Sequence, residues 1–170
     1  MTAFVDPSSP EGAVVEFIYH ETHLLNSDRY AEWIQLLGEE FEYRMPNPQL
    51  RDDPRAAPYS DKSLLSWESI HSLRLRFDRL ASEFAWADRP PAFHRRHLTA
   101  VRVEALADGE TWNVSCDELV ARSRTPEPPQ LVSALREDVV QRVGGDLRLA
   151  RRTVFLDVDR PDLAQIALLF

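Results

Sequence analysis

LVSALREDVVQRVGGDLRLARRTVFLD, Leu131 to Asp157, is the stretch on which the fold turns. Gly144-Gly145-Asp146 is a tight-turn signal, because adjacent glycines adopt the left-handed backbone that a two-residue hairpin needs. Downstream of the turn, Leu147 to Val158 reads as one long strand. Upstream, Leu131, Leu135, Val139 and Val143 recur every four residues. That spacing fits one face of a helix and one face of a strand equally well. The flanks decide between them. Thr125 to Gln130 holds three prolines and must be a loop, and a hairpin turn follows, so Leu131 to Val143 is read as a strand.

Working outward, the rest of the second half is also β. Val101, Val103 and Ala105 alternate, Asp108-Gly109 signals a turn, and Trp112, Val114 and Cys116 alternate again. The first half is mainly helical. Residues 1–8 are expected to fray. Ser8 followed by Glu11 fits a capping box with Pro10 in the first turn. Val14, Phe17, Ile18, Leu24 and Leu25 then make an apolar stripe broken only by Glu21. Tyr30, Trp33, Ile34 and Leu37 predict a second helix, ended by Gly38. Phe41 to Met45 alternates as a strand, and 49–60 is a proline-containing loop. A third helix is expected to start near Ser60 or Ser66, with Ile70, Leu73, Phe77 and Leu80 on its face, and Trp86 to Pro91 closes that unit. Trp33, Phe41, Leu73, Phe77 and Val154 are candidate core residues. Helices followed by a run of strands give an α+β fold over a single domain, 1–170: a curved antiparallel sheet wrapped around N-terminal helices. Such a cone encloses a cavity able to hold a ligand.

Composition narrows function. The chain has 170 residues and 44% hydrophobic residues, enough for a core. Twenty basic against 28 acidic residues leave a net charge of −8, which disfavours nucleic acid and anionic membranes as partners. No apolar run approaches the ~18 residues of a membrane span, and Met1 to Glu11 lacks the basic start of a secretory signal, so a cytoplasmic location is expected. A single cysteine, Cys116, excludes an internal disulfide. Lys62 is the only lysine, so nearly all positive charge is arginine, whose forked donors suit fixed pairs at interfaces.

The motifs that carry chemistry are few. His20-Glu21-Thr22-His23 has its histidines three apart, whereas the zinc-protease helix needs four; it reads as a helix surface with one buried polar group. His94-Arg95-Arg96-His97 offers an anion clamp, against a plainer strand start whose arginines bridge to acids. Asp157 with His97 is a candidate acid–base pair for a stand-alone cone-fold dehydratase or isomerase, helped by Tyr43 or Tyr19. Cys116 is read as a buried, inert thiol. Phosphate-loop, nucleophile-elbow and dinucleotide-binding glycine motifs are absent.

Three stretches taken together resemble a known family: Phe17 to Pro46, Ser72 to Leu98 and Arg151 to Asp157. The marks are Tyr19-x-Glu21-x-x-Leu24-Leu25, Trp33, Leu36-Leu37, Arg79-Leu80, Ala85-Trp86-Ala87, Pro90-Pro91, Arg96-His97-Leu98, Arg124, Arg136-Glu137-Asp138 and RRTVFLD. In that order they resemble the small (β) subunit of aromatic-ring-hydroxylating dioxygenases, the Rieske non-haem iron oxygenases. The resemblance implies a cone of the nuclear-transport-factor, scytalone-dehydratase or cystatin-like type. It implies no catalytic, metal or cofactor site in this chain. The Rieske 2Fe-2S cluster and mononuclear iron would lie in a large (α) subunit, in assemblies of three large and three small subunits with the small ones meeting as a trimer. One cysteine agrees with this, since a Rieske centre takes two. Trp86, Arg95, Arg96, Arg151 and Arg152 are the candidate contacts with other subunits. The sequence departs from the family pattern at Ala100, where the family often has Asn, and at Glu118, where an apolar residue is usual. A homo-oligomeric ligand-binding module is the remaining alternative.

Overall fold

The computed structural model describes residues 5–49, 52–53, 55–81, 92–158, 161 and 169–170. Its elements are α1 (Pro10–Asn26), α2 (Tyr30–Trp33) with a 3-10 turn at Ile34–Leu36, β1 (Leu37–Pro48), β2 (Tyr59–Ser69), α3 (Ile70–Ala81), β3 (Phe93–Ala105), β4 (Thr111–Ser123), β5 (Gln130–Val143) and β6 (Asp146–Leu156). The strands form one six-stranded sheet in the order β2-β1-β6-β5-β4-β3. The sheet is mixed, not wholly antiparallel as expected: β1 runs parallel to β6, with Tyr43 opposite Arg152, while every other pairing is antiparallel. No helix among the described residues is long and apolar enough to cross a membrane.

Local chemistry sets the element ends. Ser9, not Ser8, caps α1: its hydroxyl accepts from the Gly12 N–H at 3.0 Å, and Pro10 follows in the first turn. Gly12 is required sterically, because a Cβ there would stand 2.3 Å from the Asp6 main-chain oxygen. The predicted second helix is cut to a single turn plus the 3-10 turn, and Gly38 lies inside β1 rather than past a helix end. Here tertiary pairing overrides the helical spacing: Leu37 is already in register with Leu149 of β6. Residues 60–69 are likewise strand, not helix. Ser66 pairs with Met45 and Trp67 with Arg44. The helix begins after Ser69, whose hydroxyl accepts from the Ser72 N–H at 3.2 Å while the Ser72 hydroxyl accepts from the Ser69 N–H at 2.9 Å. The predicted unit around Trp86 lies outside the described residues.

On β4 and β5 the even-numbered residues face the helices and the odd-numbered ones face away. Register irregularities bend the sheet, two of them within the run β3 to β6. One is in β3, where Ala100 takes a positive φ of 52° between Thr99 and Arg102; the other is where β5 slips against β6 at Val139/Val140. Such bulges bend a strand and raise its twist. The core under the concave face unites α1 (Val14, Ile18, Leu24, Leu25) with Trp33, Phe41, Leu73 and Val154. Phe77 is only partly buried and stacks on Tyr30 with ring centroids 4.6 Å apart.

β5 confirms the strand but shows an unforeseen register. Leu131, Leu135 and Val143 are exposed on the outer face. The buried face of β5 carries Val132, Ala134, Arg136, Asp138 and Val140. A one-residue slip would exchange the two sets, so something in the interior must hold Arg136 and Asp138 there.

Candidate functional site

What holds them is a closed ionic cluster inside the cone. Each member is set there by an ordinary element: Glu21 by α1, Arg96 by β3, Glu118 by β4, Arg136 and Asp138 by β5, and Arg152 by β6. All six are buried, three cations against three anions. Arg152 grips Asp138 with Nε and Nη2 at 2.7 and 2.9 Å, and its Nη2 also reaches Glu21 at 2.8 Å. Arg136 lies 2.8 Å from Glu21, 2.9 Å from Glu118 and 3.0 Å from Asp138. The Trp33 indole N–H donates to the second Glu21 oxygen at 2.7 Å. The bidentate Arg152–Asp138 pair is strong in a dry interior, whereas Arg136 hydrogen-bonds Glu118 and meets Glu21 and Asp138 as close ion pairs. Arg96 stands apart: its nearest carboxylate oxygen, Glu118 Oε1, is 4.0 Å away and accepts no hydrogen bond among the described residues.

The acids differ because their surroundings differ. Burial pushes the Glu21 carboxyl up and is the largest single influence, but the Arg152 and Arg136 charges, with hydrogen bonds from Arg152 and Trp33, outweigh it and hold the group at about 2. At Glu118 burial wins over Arg136, Arg152 and Arg96, and the carboxyl lies above its usual range. Burial raises the Cys116 thiol to about 11, so it is no nucleophile at neutral pH. Glu21 and Asp138 are each engaged by Arg136 and Arg152, and Glu118 by Arg136.

The candidate site residues separate accordingly. His97 and Asp157 are both exposed on the outer face and belong to one cross-strand row, His97–Leu119–Ser133–Asp157. Three strand spacings of ~4.8 Å part them, so they form no acid–base pair. Asp157 instead accepts from the Ser133 hydroxyl at 2.6 Å. Tyr43 is buried and Tyr19 is exposed on α1. Of the candidate contact residues, Arg95 and Arg151 are exposed on the outer sheet face. Arg96 and Arg152 belong to the interior cluster and not to the surface; Trp86 lies outside the described residues. The cluster was half legible: Glu21 breaks an apolar stripe and Glu118 stands where an apolar residue is usual, whereas nothing in the spacing of Arg136, Asp138 and Arg152 points inward.

Among the described residues no helix packs on the outer face of the sheet. It exposes Phe93, Leu119, Leu131, Leu135 and Trp67, with Arg95 opposite Ala121, which itself pairs with Leu131. Beside this apolar strip lies a cavity of about 450 Å³, whose walls include Arg102, Glu104, Glu137, Arg151 and Thr153. Among the described residues no three His, Cys, Asp or Glu side chains sit where they could share a metal ion. With a single cysteine, the residues present do not fit a Rieske cluster.

Residues 20–160 match a family described as ring hydroxylating beta subunit. The biphenyl 2,3-dioxygenase subunit beta of Rhodococcus jostii (strain RHA1) is 29% identical over 161 residues, covering 90% of this chain and 84% of that protein. In solved structures, a chain of naphthalene 1,2-dioxygenase with indole bound in the active site superposes with a TM-score of 0.78 at 21% identity, over 95% of this chain and 86% of that one. A protein assigned as a scytalone dehydratase from Novosphingobium aromaticivorans DSM 12444 gives 0.62 at 15% identity, over 87% and 84%. At these identities the two structures speak for the cone fold alone.

Proposed function

The chain belongs to the ring-hydroxylating dioxygenase β-subunit family, and from that premise we propose that it is the structural small subunit of an aromatic-ring-hydroxylating dioxygenase, without catalytic residues of its own. The Rieske cluster and the mononuclear iron belong, in this reading, to a large subunit against which the chain packs. Three large and three small subunits, with the small ones meeting as a trimer, are the proposed assembly, working in the cytoplasm on aromatic compounds destined for catabolism.

The observation that carries the reading is the contrast between the two faces of the sheet. On the concave face the described acids Glu21 and Asp138 are each engaged by Arg136 and Arg152, and Glu118 is engaged by Arg136. The convex face presents Phe93, Leu131 and Trp67 at 82%, 69% and 54% exposure. Phe93 and Leu131 lie near Arg95 at one end of this face, and Trp67 stands on the opposite edge strand; exposed apolar side chains beside arginine suit a protein contact. Arg95 and Arg151 are the proposed contact residues on this face.

The test is reconstitution. The large subunit from the same host, prepared alone and together with this chain, is assayed for ring hydroxylation in the presence of its electron donors. A structural partner is expected to raise the yield and lifetime of active large subunit while the chain alone turns over nothing. Equal activity and lifetime of the large subunit without this chain would reject the proposal.

A further inference from the structure

We propose that the chain, when free of a larger subunit, pairs with a second copy of itself through two charged rows on the outer face of its sheet. The inference does not rest on the small-subunit reading. Arg151 serves both contacts, so the pair describes the chain on its own.

The rows follow from strand register. One runs Arg102–Ser115–Glu137–Thr153–Arg44 across β3, β4, β5, β6 and β1. The next, two residues along each strand, runs Glu104–Asn113–Val139–Arg151–Glu42. In that order the first row carries plus, minus, plus and the second minus, plus, minus. Together they sum to zero, whereas the chain carries −8. A two-fold axis lying between the rows, across the strands, sets the first row of each copy against the second row of the other. Every cation then faces an anion. Arg102 meets Glu104 of the second copy, Arg44 meets Glu42, and Glu137 meets Arg151 one strand away. Each contact occurs twice, because a two-fold interface repeats itself.

Arg44 and Glu42 are already bonded to each other within the chain. The other four charges are not: among the described residues Arg102, Glu104, Glu137 and Arg151 take part in no ion pair. All four line the cavity of about 450 Å³, and the short side chains of Asn113 and Ser115 lie between them. Packed sheets stand about 10 Å apart. Arginine and glutamate side chains bridge that gap from both sides, and the cavity gives those of the second copy room. Like charges facing each other would repel, so the alternation selects one orientation of the two copies.

The test is sedimentation equilibrium of the purified full chain at low salt and at about 1 M salt, where the screening length falls to ~3 Å. The expected result is a dimer at low salt and a monomer at high salt. Arg102→Glu and Glu104→Arg are each expected to weaken dimerisation roughly tenfold or more, since either brings like charges together at two symmetry-related points. Mixed in equal amounts, the two variants are expected to recover the wild-type affinity, because two acids on one copy then face two bases on the other. The double variant Arg102→Glu/Glu104→Arg is expected to recover it alone. A wild-type monomer at low salt overturns the inference. So does association that neither single variant weakens, or a mixture and a double variant that pair no better than the single variants do.

Discussion

Glu21 concentrates the energetics of the molecule in one side chain. Its two oxygens receive Arg152, Arg136 and the Trp33 indole, linking α1 to the far strands. Taking one partner out of a buried ion cluster leaves its cations uncompensated, which costs about 3–5 kcal/mol. Glu21→Gln should therefore lower stability by that order, measured by urea unfolding at neutral pH. The same residue fixes the direction of the acid response. Its carboxyl sits at about 2 in the folded chain against an ordinary 4.5. A depressed folded value contributes stability that is fully present above about 4.5 and is lost as pH falls toward 2. Glu118, raised by burial, works in the opposite sense, since protonating it is easier in the folded chain than in the unfolded one. The wild type minus Glu21→Gln difference in unfolding free energy should thus shrink steadily between pH 5 and pH 2. A difference independent of pH would mean that Glu21 is not ionised in the fold.

At the scale of elements, the bulge in β3 falls on a departure seen in the sequence. Ala100 stands where the resembling family often has Asn, and its φ is +52°. A left-handed backbone costs an ordinary L-residue roughly 1 kcal/mol, and Asn tolerates it better than Ala because its side chain bonds locally. Ala100→Asn is expected to raise stability by about 0.5–1 kcal/mol, read as an upward shift in Tm; a drop would show that the bulge is held by the side chain's surroundings and not by backbone preference. The strands of the second half were legible because turns at Asp108-Gly109 and Gly144-Gly145 punctuate them. What the sequence concealed was register. On β5 the apolar residues Leu131, Leu135 and Val143 face out, while Arg136 and Asp138 face in, because arginine and aspartate are neutralised by partners from α1, β4 and β6. Hydrophobic patterning cannot report a core that is partly ionic. Residues 60–69 hide their strand for a related reason: Leu64, Leu65 and Trp67 satisfy no clean alternation, and only pairing with β1 makes them a strand. For the same reason Arg96 and Arg152, which by composition look like surface residues, are interior ones.

At the scale of the whole molecule, the described residues leave one sheet face packed under helices and the other exposed. Exposed apolar side chains on a bare sheet face contribute little to the isolated chain, so removing one should separate folding from association. Leu131→Glu is expected to leave Tm nearly unchanged, as surface substitutions do, within about 0.5 kcal/mol, and to abolish or weaken assembly with the other subunits, read by analytical ultracentrifugation. Retained assembly would move the contact to another surface. The most direct measurement of all is native mass spectrometry with iron analysis on material purified through a tag on this chain from its own host. The account predicts a complex in which this 19.6 kDa chain accompanies an equal number of much larger chains that carry the iron. An iron-free species of this chain alone would contradict it.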